Sequence, residues 1–499
     1  MTDDDYKLAI AELNGRLFVP YQREGVQWLL KKERHLNGPK GGFLCDEMGL
    51  GKTVQLIAMM LGNPKKRSLL IVPKSLIAQW VQEIGKFAPG LAVRVYDGPK
   101  RELDDALLCD PEARSVTIAP YSVLSAKGRK PEAKTPLHNP RWDRIILDEA
   151  HEIRNKRSKI FKNVCTLKTE VRWIVTGTPV FNSMEDFVSL CMFLGLDRQH
   201  VLDKPRDVKD EYILRRTKED LAAINERLRL PPCTFENVEL DMYDDEKSLY
   251  EFVFRDAQQT IREAFRESSS SYKNMVIVEC LLRARQAMVW PQMYYDGVAR
   301  KNGVEPEKFT GRSNKMETLF GFLEEHPQEK ALIFCQFMGE MNHLETIFTA
   351  IYEEYGRKIF RIDGSVSKEA RVQRIEAFKS SPPGSIFLMQ IRCGGQGLNL
   401  QEATRIYITA PAWNPATELQ AIGRSHRTGQ TRAVHVKKLI YKECPRFISV
   451  EQEMMALQGH KSVVCSEVLN DERIKNQIPT GDRRVKKISI LDIKKIFRA

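Results

Sequence analysis

The chain has 499 residues, 42% of them hydrophobic, and 78 basic against 66 acidic residues give a formal net charge of +12. That length exceeds a single hydrophobic core and predicts two or three domains. Ten cysteines without a Cys-x-x-Cys pair argue against a zinc module or disulfide framework and for a reducing compartment. The acidic opening Met1-Thr2-Asp3-Asp4-Asp5, and the lack of any apolar run near the ~18 residues of a span, predict neither a secretion signal nor a membrane segment. The basic excess either tracks a phosphate backbone or solubilises the surface.

In chain order, the first strong element is a short apolar strand, Gly42 to Cys45, that runs through Asp46-Glu47-Met48-Gly49-Leu50-Gly51 into Lys52-Thr53 and a helix. Glycines at 49 and 51 let successive amides turn toward an anion, the helix adds its positive end, Lys52 reaches terminal phosphates and the Thr53 hydroxyl suits magnesium. The strict phosphate-loop pattern has glycine where Asp46 stands, so a purely structural turn is the alternative. Further strands are predicted at Ser68 to Val72, Leu91 to Tyr96, Val116 to Ala119, Ile145 to Leu147 and Trp173 to Val175. The run Arg144-Ile145-Ile146-Leu147 ends in Asp148-Glu149, where Asp148 suits magnesium and Glu149 suits alignment and deprotonation of a water; a solvated helix start is the bland reading.

From about 244 to 308 the pattern turns to long helical segments broken at Ser268 to Ser271. A second strand series follows at Ala331 to Cys335, Ile359 to Ile362, Ile386 to Met389, Ile406 to Ile408 and Val434 to Leu439. Strands alternating with helices twice over predict two parallel α/β sheets. Arg424 and Arg427, three apart, are predicted to share a helix face, in reach of a phosphoryl group held between lobes, although Gly423 and Gly429 weaken such a helix. A surface ion-pair helix is the other reading. Near the end, Arg483-Arg484-Val485-Lys486-Lys487 is an import signal, a DNA-facing patch or a solvated charge run. Ile490, Ile493, Ile496 and Phe497 recur at helical spacing and predict a docked end.

The ordered segments Leu17-Phe18-Val19-Pro20-Tyr21-Gln22 with Gly25 and Trp28, DEMGLGKT, Ile71-Val72-Pro73-Lys74-Ser75-Leu76 to Trp80, the DEAH box, Thr176-Gly177-Thr178-Pro179 and Leu214-Arg215-Arg216-Thr217-Lys218 cover the first half. Arg361-Ile362-Asp363-Gly364-Ser365, Cys393-Gly394-Gly395-Gln396-Gly397-Leu398-Asn399-Leu400, Trp413-Asn414-Pro415 and the two arginines cover the second. In this order they resemble the Swi/Snf-type DNA-dependent ATPases of helicase superfamily two. Pro411 to Pro415, Leu282 to Gln286 and Leu491 to Phe497 look most like the subgroup of post-replication-repair translocases, the helicase-like transcription factor and termination ATPases.

The resemblance implies two tandem RecA-like parallel-sheet lobes with a helical protrusion between them: lobe one at 1–240, protrusion and linker at 241–312, lobe two at 313–465, and a C-terminal segment at 466–499. It implies ATP and Mg2+ as cofactors. Gln22 would read the adenine, residues 46–53 and Gly397 would line the nucleotide site, Thr53 and Asp148 would hold the metal, and Lys52, Asp148, Glu149, Arg424 and Arg427 would carry the chemistry. Pro73, Lys74, Ser75, Tyr121, Gln336, Gly364, Ser365, Arg392, Gly394 and Gly395 match segments that line the DNA backbone groove in relatives, where contacts position without reading sequence.

The implied partners are double-stranded DNA of any sequence and DNA-bound proteins, with no membrane. The expected setting is the nucleus or another reducing, DNA-containing compartment, a viral factory or virion included. Phe181 stands where the family usually has glutamine and Ala410 where it has aspartate, both bearing on coupling between lobes. Trp413 is either a stacking platform or packing. A DEAH-type RNA helicase and an inactive DNA-binding scaffold are the competing readings; Thr176-Gly177-Thr178, where such RNA helicases usually carry Ser-Ala-Thr, separates the first. Strand-separating relatives often insert a hairpin after the glycine-rich segment. Between Leu400 and Gln420 a strand and the turn Ala410 to Pro415 leave no room for one, so movement along paired duplex is expected.

Overall fold

The computed structural model describes residues 2–17, 20–98, 114–125, 135–177, 184–222, 230–267, 270–395, 399–427, 429–444, 447–469 and 497. The chain divides into two compact units, whose main parts are Met1–Arg229 and Leu230–Val463.

The first unit holds a seven-stranded sheet: β1 (Lys40–Leu44), β2 (Arg67–Val72), β3 (Ala92–Val95), β4 (Ser115–Pro120), β5 (Trp142–Asp148), β6 (Thr169–Val175) and β7 (Ile213–Leu214), in spatial order β3-β4-β2-β5-β6-β1-β7. Every described pairing is parallel. Parallel neighbours need crossovers, and helices such as Lys52–Gly62 and Ile77–Phe87 supply them. The second of these shows the rule: Ile77, Trp80 and Ile84, spaced three and four apart, are its buried residues. They join Leu70, Val72, Ile146 and Trp173 of the sheet in one apolar cluster with helices Thr2–Glu12 and Tyr21–Glu33.

The second unit's sheet runs β10-β11-β9-β12-β13-β8, from β8 (Cys233–Leu240), β9 (Ala331–Cys335), β10 (Ile359–Ile362), β11 (Ile386–Gln390), β12 (Arg405–Ile408) and β13 (Val434–Tyr441), again all parallel. Successive residues fall into different cores. Ala331, Ile333 and Cys335 belong to one apolar cluster, Leu332 and Phe334 to another, as period-two side chains of a doubly covered sheet must.

Two expectations on boundaries are corrected. Residues 233–240, expected at the end of the first lobe, form an edge strand of the second sheet, paired over their whole length with β13. The segment expected to protrude, 241–312, carries helices Asp244–Glu267, Ser270–Val289 and Gln292–Asn302, and Leu249, Val253, Ile261, Ile277 and Ala284 lie in the same core as Ile333, Leu388 and Leu439. Their burial makes them part of the second unit. At the far end Phe497 is fully buried in that core, 5.3 Å from the Phe254 ring; Ile490, Ile493, Ile496 and the basic run 483–487 lie outside the described residues. Among the described residues, no helix is long and apolar enough to cross a membrane.

Candidate nucleotide-binding site

In a parallel sheet all C-terminal strand ends share one edge, the usual ligand edge. β6 lies between β5 and β1, so the loop after β1 and the acids after β5 flank the end of β6, where Gly177 sits. Gly49 and Gly51 take φ of 92° and 75°, and Gly51 caps the helix that begins at Lys52. These left-handed positions turn the amides before the helix, and glycine adopts them at no steric cost. The Lys52 ammonium donates to the Asp46 and Glu47 carbonyls at 2.7 and 3.3 Å. Burial lowers its pKa, opposed by the charges of Glu149, Asp46 and Asp148. A Cβ added to Gly177 would lie 2.9 Å from Lys52 Nζ and 2.7 Å from Met48 Cγ, so only glycine leaves the lysine its space.

Asp148 accepts from Trp80 Nε1 at 2.8 Å and from the Glu149 amide at 2.9 Å. Burial, then the Glu149 charge, push its carboxyl up to about 6. Glu149 is the one non-glycine residue with positive φ (49°) among the described residues, and its carboxylate lies 3.3 Å from His151 Nδ1. Two adjacent acids and a lysine thus meet at one sheet edge, with Thr53 in the first turn of the helix. No group of three or more potential metal ligands occurs among the described residues. That donor set fits Mg2+, which takes one or two carboxylates and keeps its other positions for water and phosphate.

Gln22 is buried, and its Nε2 donates to the Leu50 carbonyl at 3.1 Å; a Cβ on Gly51 would come within 2.4 Å of that nitrogen. The sequence did not foretell the partner of Asp46. Its buried carboxylate is forked by Arg216, with Nε to Oδ1 at 3.0 Å and Nη2 to Oδ2 at 2.5 Å, while the Arg216 amide and Gln55 Nε2 each add a bond at 3.1 Å. The signal was available in the acid standing where the pattern has glycine, because a buried carboxylate demands a partner.

The expected DNA-contacting residues also lie at C-terminal strand ends. Pro73 and the turn Lys74–Leu76 follow β2, and Lys74 pairs with Asp97 at 3.2 Å. Tyr121 follows β4, yet its ring is buried and its hydroxyl donates to the Asp148 carbonyl at 2.8 Å. In the second unit, Gln336 follows β9 and donates to the Ala410 carbonyl at 3.1 Å. Gly364 and Ser365 follow β10, with Ser365 Oγ on Asp363 at 2.5 Å. Exposed Arg392 is the second residue of the turn Ile391–Gly395, which holds Gly394 and Gly395.

The arginine pair is a correction. The helix Pro415–Ile422 ends at Gly423, so Arg424 and Arg427 lie in the turns beyond it and share no helix face. Arg424 is buried, its carbonyl accepting from the Leu400 amide at 2.9 Å, and the Arg427 carbonyl accepts from the Gln430 amide at 2.9 Å. Burial lowers the Arg427 pKa. Ala410 is buried in a small apolar cluster with Val289 and Met293, where an aspartate would be stranded. Trp413 keeps 38% of its surface exposed. Gly397 and Phe181 lie outside the described residues.

A phosphate loop and paired strand-end acids in one parallel-sheet unit, followed by a second parallel-sheet unit, define the class of two-unit proteins with a nucleotide site on the first sheet. Residues 21–204 match the SNF2-related domain and residues 314–429 the helicase conserved C-terminal domain. The chain belongs to the SNF2 family. Similar proteins include a "Probable global transactivator" of Orgyia pseudotsugata multicapsid polyhedrosis virus, 27% identical over 92% of this chain and 93% of its own length. The "ATP-dependent helicase fft1" of Schizosaccharomyces pombe is 27% identical, with 93% and 54% covered. The "ISWI chromatin-remodeling complex ATPase ISW1" of Saccharomyces cerevisiae is 28% identical, with 93% and 41% covered. The chain thus spans about half the length of the fission-yeast relative. Among solved structures, the Sulfolobus solfataricus SWI2/SNF2 ATPase core in complex with dsDNA is 27% identical, covering 94% of this chain and 98% of its own, at a TM-score of 0.39.

Proposed function

We propose that the chain is a DNA-dependent ATPase that translocates on double-stranded DNA and remodels or displaces proteins bound there, without separating the strands. The observation that supports this most directly is the meeting of Lys52, Asp148 and Glu149 at the edge of the first sheet, in a chain of this family. Lys52 and the loop amides hold the terminal phosphates of ATP, and Gln22 holds the adenine end. Thr53 and Asp148 would hold Mg2+, which would supply neutralising charge to the phosphates. Glu149 orients the attacking water and takes its proton. The role proposed for Arg424 and Arg427 is to neutralise the phosphoryl group in transit.

Pro73, Lys74, Ser75, Gln336, Gly364, Ser365, Arg392, Gly394 and Gly395 meet the DNA backbone, with Tyr121 acting through the Asp148 main chain. Contacts to phosphates give binding without sequence preference. The setting is a DNA-containing compartment, nuclear or viral.

ATPase and displacement assays test this reading. Double-stranded DNA of any sequence is expected to accelerate ATP hydrolysis, RNA is not, and the stimulation fades as salt rises. The protein strips the third strand of a triplex using ATP and releases no single strand from a tailed duplex. Equal stimulation by RNA supports an RNA helicase; efficient ATP-dependent unwinding of the duplex refutes translocation on paired DNA; failure of hydrolysis altogether favours a scaffold.

A further inference from the structure

Three consecutive loop residues are gripped by one short segment. The Cys45 amide donates to the Leu214 carbonyl at 2.7 Å, Asp46 takes the fork of Arg216, and the Glu47 amide donates to the Arg216 carbonyl at 2.9 Å. Glu47 Oε2 in turn accepts from the Lys218 amide at 2.8 Å, with Lys218 Nζ 3.2 Å from Oε1.

Arg216 also reaches past the loop. Its Nη1 donates to the Tyr21 carbonyl, its Nη2 to Gln55 Oε1 at 2.9 Å, and its guanidinium stands 5.5 Å over the Tyr21 ring. A Cβ on Gly25 would meet Gln55 Oε1 at 1.9 Å and Arg216 Nη2 at 2.7 Å. That glycine, a poor helix former inside a helix, is explained by the space this network takes. Gln55 Nε2 closes the circuit on Asp46 Oδ2 at 3.1 Å and Leu50 O at 3.3 Å.

We infer that Arg216 is a positioning residue of the nucleotide site: through the buried Asp46 carboxylate it sets the backbone of the phosphate loop in the conformation that receives ATP. An ordinary phosphate loop has glycine at this position and no such tether. Here an aspartate and an arginine 170 residues away replace the glycine together. The fork is planar and two-pronged, so it fixes direction as well as distance, which a lysine would not do. Arg216 does not touch the substrate. Its effect falls on the shape of the loop in ground and transition states alike, and therefore on ATP affinity more than on turnover.

The inference rests on the ATPase reading, and two readouts keep them apart: direct binding of a fluorescent ADP analogue, and steady-state hydrolysis with saturating duplex DNA. Arg216→Met is expected to weaken nucleotide binding and raise KM about tenfold while kcat stays within about threefold. The double variant Asp46→Gly/Arg216→Met, which removes the stranded carboxylate together with its partner and restores the plain loop pattern, is expected to lower KM at least about threefold from that of Arg216→Met. Arg216→Lys falls between, and carries the same KM test if Arg216→Met does not fold by circular dichroism. Wild-type affinity in a folded Arg216→Met or Arg216→Lys protein overturns the inference, as does a double variant no better than the single. Absence of hydrolysis in the wild type overturns the ATPase reading alone, because the binding arm still decides the role of Arg216.

Discussion

Glu149 holds a left-handed backbone (φ 49°, ψ 49°) that costs a non-glycine residue about 1–3 kcal/mol. Its neighbour Asp148 is held by Trp80, while the Glu149 carboxylate lies 3.3 Å from His151 Nδ1. Glu149→Gln is expected to slow hydrolysis about a hundredfold or more, roughly 3 kcal/mol of barrier, while ATP remains bound; near-normal turnover would refute its role as the base. The same change reads out on stability. An acid whose pKa is raised on folding binds its proton more tightly in the folded state, so stability falls as pH rises from the ordinary carboxylate range to about 6, the value for Asp148, and stays reduced above it. Burial is the larger cause and survives the mutation; the Glu149 charge does not. Glu149→Gln keeps the Lys52 and Asp148 burial but loses the repulsion on Asp148, so the fall in thermal stability between about pH 4.5 and about pH 7.5 should be smaller than in wild type. Residues of this kind were legible in sequence because phosphate chemistry restricts their types and spacing. Arg216 was not, because nothing local reports which arginine will face a buried aspartate.

Among the elements, β5 owes its place to a polar knot as well as to Ile145, Ile146 and Leu147. Arg144, on that strand and fully buried, donates Nε to Glu33 Oε1 at 2.5 Å and Nη2 to the other carboxylate oxygen and to the Asn63 carbonyl at 2.8 Å. Trp173 Nε1 and Asn63 Nδ2 complete Glu33 at 2.8 and 2.7 Å. Helix Tyr21–Glu33, the end of helix Lys52–Gly62 and β6 are thereby pinned to the strand that ends in Asp148. Glu33→Ala leaves an unpaired buried guanidinium, and a loss of about 3–5 kcal/mol is expected in chemical unfolding of the first unit. Replacing both partners by apolar residues of similar volume, as in Glu33→Leu/Arg144→Met, should cost far less; an equal loss would mean that packing, not charge, governs the site. Ten predicted strands of the two series are present, since continuous apolar runs between turns announce buried parallel strands. β8 escaped notice because its residues are mostly half-exposed or exposed, with only Leu240 buried. The arginine helix was overdrawn for a reason visible beforehand: Gly423 is where it stops.

For the whole molecule the same strand decides how the chain is divided. β8 pairs residue for residue with β13, from Cys233 with Val434 to Leu240 with Tyr441. A fragment beginning at residue 230 keeps that edge covered, whereas one beginning at 241 bares a long edge of β13 to other chains. The shorter fragment should aggregate on expression and the longer one stay soluble, as size-exclusion chromatography would report; identical behaviour would mean the edge needs no cover. Synthesis imposes an order on this pairing. Thr234 and its partner His435 are 201 residues apart, and at about 5–20 residues per second a nascent β8 waits roughly 10–40 seconds before its neighbour exists. A strand that carries Glu236 and Glu239 and buries only Leu240 survives that interval outside any sheet, where a wholly apolar one would seek the wrong companion. The trait that hid β8 from a reading of the sequence is the one that lets it arrive early.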